Sequence, residues 1–400
     1  MGGGYAGMAA GVALAERGIG VTVFESGPVP GGRARRVVSQ GRELDNGQHI
    51  FVGAYTELFR LMHTVGVPPD ALLRYPLEVR YASNFRLRSR WFPAPLGLLA
   101  GLLFAHGVSF SERLGALRFM ATLRRIGFRV EPDISVRQFL DQHGQHGRMR
   151  HYLWAPLCVS ALNTPLDQAS ANAFLAALRD TVGSGGEASD FLLPRVDLSR
   201  LFPEPAAEFI RARGGHVRCG QTIRNLQELN KEYRSVIVAV GPHQLKTLLP
   251  EVALDFTYQP IYTCYLQYAQ TTRLPFPMLG MSDGLVQWVF DRGALLGEQG
   301  LFACVISAQG DHQQMTHDEV ADQCHRELLN ARLAHEKPSW SQVIAEKRAT
   351  ISCTPALARP DVKREGVILA GDYTDSEYPP TLEAAVRSGV RAARMILQET

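Results

Sequence analysis

Three glycines, Gly2, Gly4 and Gly7, stand in G-x-G-x-x-G spacing, and Glu25 follows about 20 positions later. Residues of these types at this spacing hold a dinucleotide. One glycine permits a tight turn, one lets the backbone approach a pyrophosphate, and one lets a helix pack closely on a strand. The acid accepts the hydroxyls of the adenosine ribose. In "SGPVPGGRARR", Gly31-Gly32 allows a second close backbone approach and Arg33 can neutralise a phosphate. The stretch "LDNGQHIF" brings Asp45, Gly47 and His49, and "LAGDYTD" brings Gly371 and Asp372.

These residues need elements to position them. Ala6 to Arg17 reads as a helix stopped by Gly18, and "GVTVFE" as a strand ending on Glu25. A dinucleotide turn also needs a strand leading in, so about 5 apolar residues are expected ahead of Gly2. With Met1 as the start, that strand is missing and cofactor binding is expected to be weak. "GGHVRCGQTIRNL" reads as a pair of short strands, and Val236 to Val240 and Val367 to Ala370 as buried ones. A last helix begins near Thr381, with Leu382, Ala385, Val386, Gly389, Ala393 and Ile396 as its buried stripe. The reading is therefore α/β: a nucleotide domain assembled from 1–80, 201–255 and 341–400. Residues 81–200, mostly helical, and 256–340, with the antiparallel strands of "QPIYTCYLQYA" and "LVQWVFD", form an inserted α+β substrate domain.

A net charge of +3 gives no footprint for nucleic acid, and 46% hydrophobic residues suffice for two domains. Six scattered cysteines without a C-x-x-C pair fit reduced thiols of a cytoplasmic protein, and no metal site is read. "HGQHGRMRH" reads as a polar turn, because Gly144 and Gly147 interrupt it. The apolar run Trp91 to Phe110 is too short to span a bilayer. It leads into a helix carrying Arg113, Arg118, Arg124, Arg125 and Arg129. Residues 91–129 fit peripheral contact with the inner face of the cell membrane, or equally a core-facing helix with a solvated arginine face.

The glycine turns, "LDNGQHIF" and "LAGDYTD...PPTLEAAVRSG" together resemble FAD-dependent enzymes of the amine oxidase and phytoene desaturase superfamily. "LWAPLCVSALNTPLDQASANAFLAALRD" and "SDFLLPRVDLSRLFPEPA" narrow the likeness to hydroxysqualene dehydroxylases, over nearly the whole chain. The resemblance implies a glutathione-reductase-like Rossmann domain and FAD as cofactor. It assigns Asp372 to the ribityl or phosphate region, Ile223 to a strand meeting the adenine, and Thr381-Leu382 to a helix N-terminus aimed at the flavin. It also implies reduction of hydroxysqualene to squalene with hydride from reduced FAD, the electron donor or flavin reductase being unspecified. Amine oxidases commonly carry an aromatic two positions before the glutamate of the last helix. Here that position is Thr381, which argues against an amine substrate.

Loss of an allylic hydroxyl needs a weak acid and apolar walls. Phe92 to Phe104 and the aromatics of "QPIYTCYLQYA" are the expected walls. Asp45, His49, Cys158, Asn163 and Tyr378 are the candidates for the chemistry. Each but Asp45 and Tyr378 has a plainer alternative: His49 holding a loop, Cys158 packing as a small apolar residue, Asn163 capping a turn. Competing readings are a carotenoid-type desaturase, another amine oxidase-like flavoenzyme, and a flavin-free isoprenoid-binding or scaffold protein.

Overall fold

The helix after the glycine turn forms over Tyr5–Ala15, and all its residues are buried. No charge appears in it before Glu16, so it has no face for water and becomes a central core helix. The structure, a computed structural model, describes residues 1–89, 96–183, 186–252, 254–364, 366–375 and 378–398.

Around this helix lie two parallel ladders. Thr22–Glu25 pairs with His216–Cys219, and Val236–Val238 pairs with Val367–Leu369, which Lys363–Arg364 extends antiparallel. Met1 and Gly2 stand between the two ladders, in the place of a central strand. The Met1 amine donates to the Ile237 carbonyl at 2.6 Å, Gly2 N–H to Phe24 at 2.8 Å, and Ala239 N–H to Met1 at 2.8 Å. Met1 and Gly2 are thus bonded on both sides.

The last helix, Leu382–Gln398, lies against the first, and Gly389 is where they touch: a Cβ there would stand 2.0 Å from the Ala6 carbonyl oxygen. Pro203–Ala212 packs on another side of the first helix, with Ile210 against Gly11.

The inserted half has a five-stranded antiparallel sheet in the order Met278–Gly280, Trp288–Asp291, Leu301–Ser307, Tyr258–Gln267, Trp340–Ile351. Period-2 alternation splits its faces. Tyr262, Cys264 and Leu266 pack in one core with Val320, Cys324 and Leu328 of the helix His317–Asn330. Ile261, Tyr265, Trp288 and Phe290 join the other core, built largely from the helices between residues 96 and 178.

Three expectations shift. The strand Trp340–Ile351 pairs with Tyr258–Gln267 along its length, so residues 341–351 belong to the inserted sheet and not to the third cofactor segment. Phe191–Pro194 pairs with Phe51–Val52 and Leu72–Tyr75, tying the end of the helical insert to the first segment. In "GGHVRCGQTIRNL" only His216–Cys219 forms a strand: Gly220 turns the chain with φ +72° and residues 221–225 run without a ladder. Among the described residues no helix is long and apolar enough to cross a membrane.

Candidate functional site

One cavity of about 540 Å³ runs from the glycine turn into the helical half. Its first end is built from backbone. Gly2, at φ +93°, has no room for a Cβ, which would meet the Ala239 carbonyl oxygen at 2.4 Å. Gly7 faces the packing side instead of the cavity, where a Cβ would stand 1.9 Å from the Gly2 carbonyl oxygen. Gly31 and Gly32, at φ +125° and +61°, bring the second glycine turn against the first, and Gly31 N–H donates to the Gly3 carbonyl at 2.8 Å. Gly4, the N-cap of the first helix, supplies no side chain to the free N–H groups of the opening turn. The result is a side-chain-free cradle at the positive end of a helix, suited to a pyrophosphate.

The acids and bases around the cradle are arranged by charge. Glu25 accepts from Gly3 N–H and Gly27 N–H, each at 2.7 Å, and faces the cavity at the strand end. Arg33 is bound by Asp372 at 2.7 and 2.8 Å and donates to the Ala349 carbonyl at 2.7 Å, so its charge is already shared with a carboxylate. Gly371, at φ +154°, presents its N–H to Ser388 Oγ at 2.8 Å and aims Asp372 at the cavity. Tyr373 lines the same wall, and its buried hydroxyl has no partner among the described residues. Thr381 caps the last helix by accepting from Ala384 N–H at 3.2 Å, and Thr381 and Leu382 both face the cavity. Ile223 lines it too, from the irregular segment 221–225 and not from a strand. A glycine cradle, two helix N-termini and an orphaned hydroxyl on one cleft fit an elongated dinucleotide cofactor such as FAD.

Beyond the cradle the lining turns apolar: Leu102, Met120, Trp154, Phe174, Trp288 and Phe290 are among the residues there. Trp91 to Pro95, Phe92 included, lie outside the described residues. From the strand Tyr258–Gln267 it is Ile261 that faces the cavity. Tyr262 and Tyr268 point to the far core, and Tyr265 is tied to the Asp45 carbonyl at 2.8 Å.

The candidates for chemistry separate on contact. Asp45 is buried off the cavity wall, where it holds Arg292 at 2.9 Å and accepts from Leu198 N–H at 2.9 Å. Burial pushes its carboxyl above the ordinary range even beside that arginine. It clamps the two halves together, which corrects the expectation of a catalytic acid. Cys158 is likewise off the wall, fully buried, its thiol pushed up by desolvation; it packs as an apolar residue. Asn163, at φ 45°, spends its amide on structure: it accepts from Ala308 N–H at 2.8 Å and donates to Pro260 and Thr350 at 3.2 and 3.1 Å. His49 does line the cavity, with Nδ1 3.1 Å from the Gly47 carbonyl oxygen. A carbonyl only accepts, so Nδ1 carries the proton. Burial lowers its pKa below 6.5, which leaves a neutral ring near pH 7 that is no acid.

Tyr378 also faces the cavity, and its hydroxyl donates to Asp180. Asp180 was not singled out from the sequence. The signal available was a single carboxylate closing the apolar run of the helix Ala171–Leu178.

Compared with known proteins, the chain is 28% identical over 428 residues to a hydroxysqualene dehydroxylase of Rhodopseudomonas palustris, covering 99% of this chain and 97% of that one. It is 21% identical over 481 residues to a probable zeta-carotene desaturase of Synechococcus elongatus, covering 100% and 98%. Among solved structures, a putrescine oxidase triple mutant superposes with TM-score 0.74 at 15% identity, covering 100% of this chain and 98% of that one, which speaks to fold alone. The family model of flavin-containing amine oxidoreductases matches residues 5–397. With that match spanning nearly the whole chain and the cradle to receive its cofactor, the protein belongs to the flavin-containing amine oxidoreductase family and uses FAD.

Proposed function

We propose that this protein reduces hydroxysqualene to squalene, removing the allylic hydroxyl as water. The observation that carries the reading is a cavity that joins the glycine cradle to an apolar chamber. When bound, FAD in its reduced form supplies the hydride that replaces the hydroxyl. The protein's own part is to hold, orient and dry the substrate. Trp154, Trp288 and Phe290 offer aromatic faces that stabilise positive charge at an allylic carbon. Thr381 stands on the cavity at the position where amine oxidases commonly carry an aromatic.

A C30 hydrocarbon reaches an enzyme from a bilayer, and a membrane approach is part of the proposal. The helix Leu96–Leu103 lines the cavity with Leu98 and Leu102, and Phe110–Arg125 does so with Met120. Outside, Leu96, Phe104 and Phe110 are 54%, 70% and 67% exposed. Residues 96–130 carry five arginines against Glu112 alone, which by itself exceeds the +3 of the whole chain. Arg118, Arg124, Arg125 and Arg129 are exposed with no carboxylate partner among the described residues. Exposed apolar side chains beside unpaired arginines fit the anionic cytoplasmic face of a membrane.

The test is anaerobic incubation of chemically reduced enzyme with hydroxysqualene and mass spectrometry of the lipids. Squalene formed in proportion to enzyme supports the reading. Absence of squalene, with a polyene such as phytoene dehydrogenated by the oxidised enzyme, would transfer the assignment to a desaturase.

A further inference from the structure

The proposed reaction needs an acid in the apolar chamber, and the sequence-derived candidates do not supply one. Asp45 and Cys158 lie off the wall, Asn163 is fully bonded and His49 is neutral. The other carboxylates of the cavity belong to the cofactor half or the long edge strand, and each has a task. Glu25 holds two backbone N–H groups, and Asp372 holds Arg33. Glu383 accepts from Glu57 N–H and Leu58 N–H and pairs with Arg387 at 2.6 Å. Glu346 is held by Asn46 Nδ2 at 3.2 Å and Arg348 N–H at 3.2 Å.

Asp180 differs. Among the described residues it is the only carboxylate that the segments 81–200 and 256–340 place on the cavity wall. It accepts from the Tyr378 hydroxyl and from Arg179 Nε at 3.0 Å. Tyr378 precedes Pro379-Pro380-Thr381, the approach to the last helix, so the contact joins the apolar chamber to the end of the cavity where that helix begins. The Arg387 guanidinium lies 4.4 Å from the centre of the Tyr378 ring.

Resting on the proposed reduction, we infer that Asp180 is the proton donor to the departing hydroxyl. Its carboxyl proton moves to the leaving oxygen as the carbon–oxygen bond breaks, and the oxygen departs as water. The electron pair of that bond leaves with it, and the carbon is made whole by the hydride already assigned to the reduced cofactor. The remaining carboxylate is held by a tyrosine hydroxyl and an arginine. These two contacts stabilise the charge that proton loss creates. The Asp180 side chain is 21% exposed, which leaves the carboxyl in reach of solvent. Tyr378 acts through it as a positioning residue.

The experiment compares wild type, Asp180→Asn and Asp180→Glu, each reconstituted with FAD, pre-reduced, and mixed anaerobically with hydroxysqualene. Flavin reoxidation and squalene are followed together, with flavin content and melting temperature as checks on folding. Because general acid catalysis is worth about 10²- to 10⁴-fold, Asp180→Asn should lower the single-turnover rate by about 100-fold or more with flavin content unchanged. Asp180→Glu should recover at least about tenfold of that loss. Squalene formation by Asp180→Asn within about threefold of wild type, or no recovery in Asp180→Glu, overturns the assignment while leaving the reaction in place. A wild-type enzyme that makes no squalene overturns both.

Discussion

Replacing Gly389 with alanine tests how the two helices that face the cofactor are held. A Cβ at 389 would lie 2.0 Å from the Ala6 carbonyl oxygen, 2.9 Å from its carbon and 3.1 Å from Ala10 N. Ordinary contact begins near 3.4 Å, and the obstacle is backbone that cannot rotate away. The first and last helices must therefore part by roughly 1 Å or more. Helix propensity works the other way, favouring alanine by about 1 kcal/mol. Overpacking costs about 1–3 kcal/mol, so the net loss reaches about 2 kcal/mol. With unfolding entropy near 2.1 cal/mol/K per residue, a chain of this size has roughly 0.8 kcal/mol/K, and the melting temperature should fall by about 2–3 °C. The same displacement moves the glycine cradle relative to Thr381. Losing one hydrogen bond to the cofactor, about 1 kcal/mol, weakens FAD binding about fivefold. Titration of apo-protein with FAD, alongside thermal melts, measures both effects. Gly20→Ala is the control: Gly20 is exposed, has nothing within 4 Å and has no positive φ. Gly389→Ala protein that binds FAD and melts like wild type refutes the close-packing argument.

Asp45→Asn should lose stability and keep its chemistry. Arg292 keeps Glu298 as a partner, so losing one charge-assisted bond costs about 2 kcal/mol, or about 2–3 °C by the same entropy, while the single-turnover rate of folded enzyme stays within about threefold. A 100-fold rate loss would restore Asp45 to the catalytic set. For His49 the folded pKa lies below the unfolded 6.5, so the native state resists a proton that the unfolded chain accepts. Its contribution is present above pH 6.5 and is lost as the pH falls through the folded value. Denaturant melts at pH 7.5 and 5.5 should show a smaller acid loss for His49→Gln than for wild type, and equal losses would refute the burial effect. At the membrane, the triple change Leu96→Asp, Phe104→Asp, Phe110→Asp should abolish flotation with vesicles containing phosphatidylglycerol, and 0.5 M salt should weaken wild-type flotation. Leu99 and Leu103 are less informative, being partly buried. Unchanged flotation of the triple variant counts against this surface.

Much of the cofactor half was legible because its tasks are local. A turn at positive φ needs glycine, a buried helix needs small apolar residues, and a strand-end acid needs a fixed spacing, all written within about 25 residues. Hence Gly2, Gly4, Glu25, Gly31 and Gly32 all reach one cavity, and Asp372 and Thr381, which the family resemblance points to, line it too. The domain borders were less legible, since the strand Trp340–Ile351 is assigned by its pairing with residues some 80 positions earlier, and strand patterns do not name their partner.

The chemistry of the chamber was decided by the tertiary structure. Asp45 and Asp180 are the same residue type in the sequence. Folding brings Arg292 onto one and turns the other to the cavity beside Tyr378. Arg33 likewise looked like a free phosphate ligand until Asp372, 339 positions away, shared its charge. By itself the sequence determined what must bind: backbone geometry and residue size are properties of short segments. What each ionisable side chain is free to do was settled only by the partner that folding sets against it, because electrostatic interaction depends on distance in space and not along the chain.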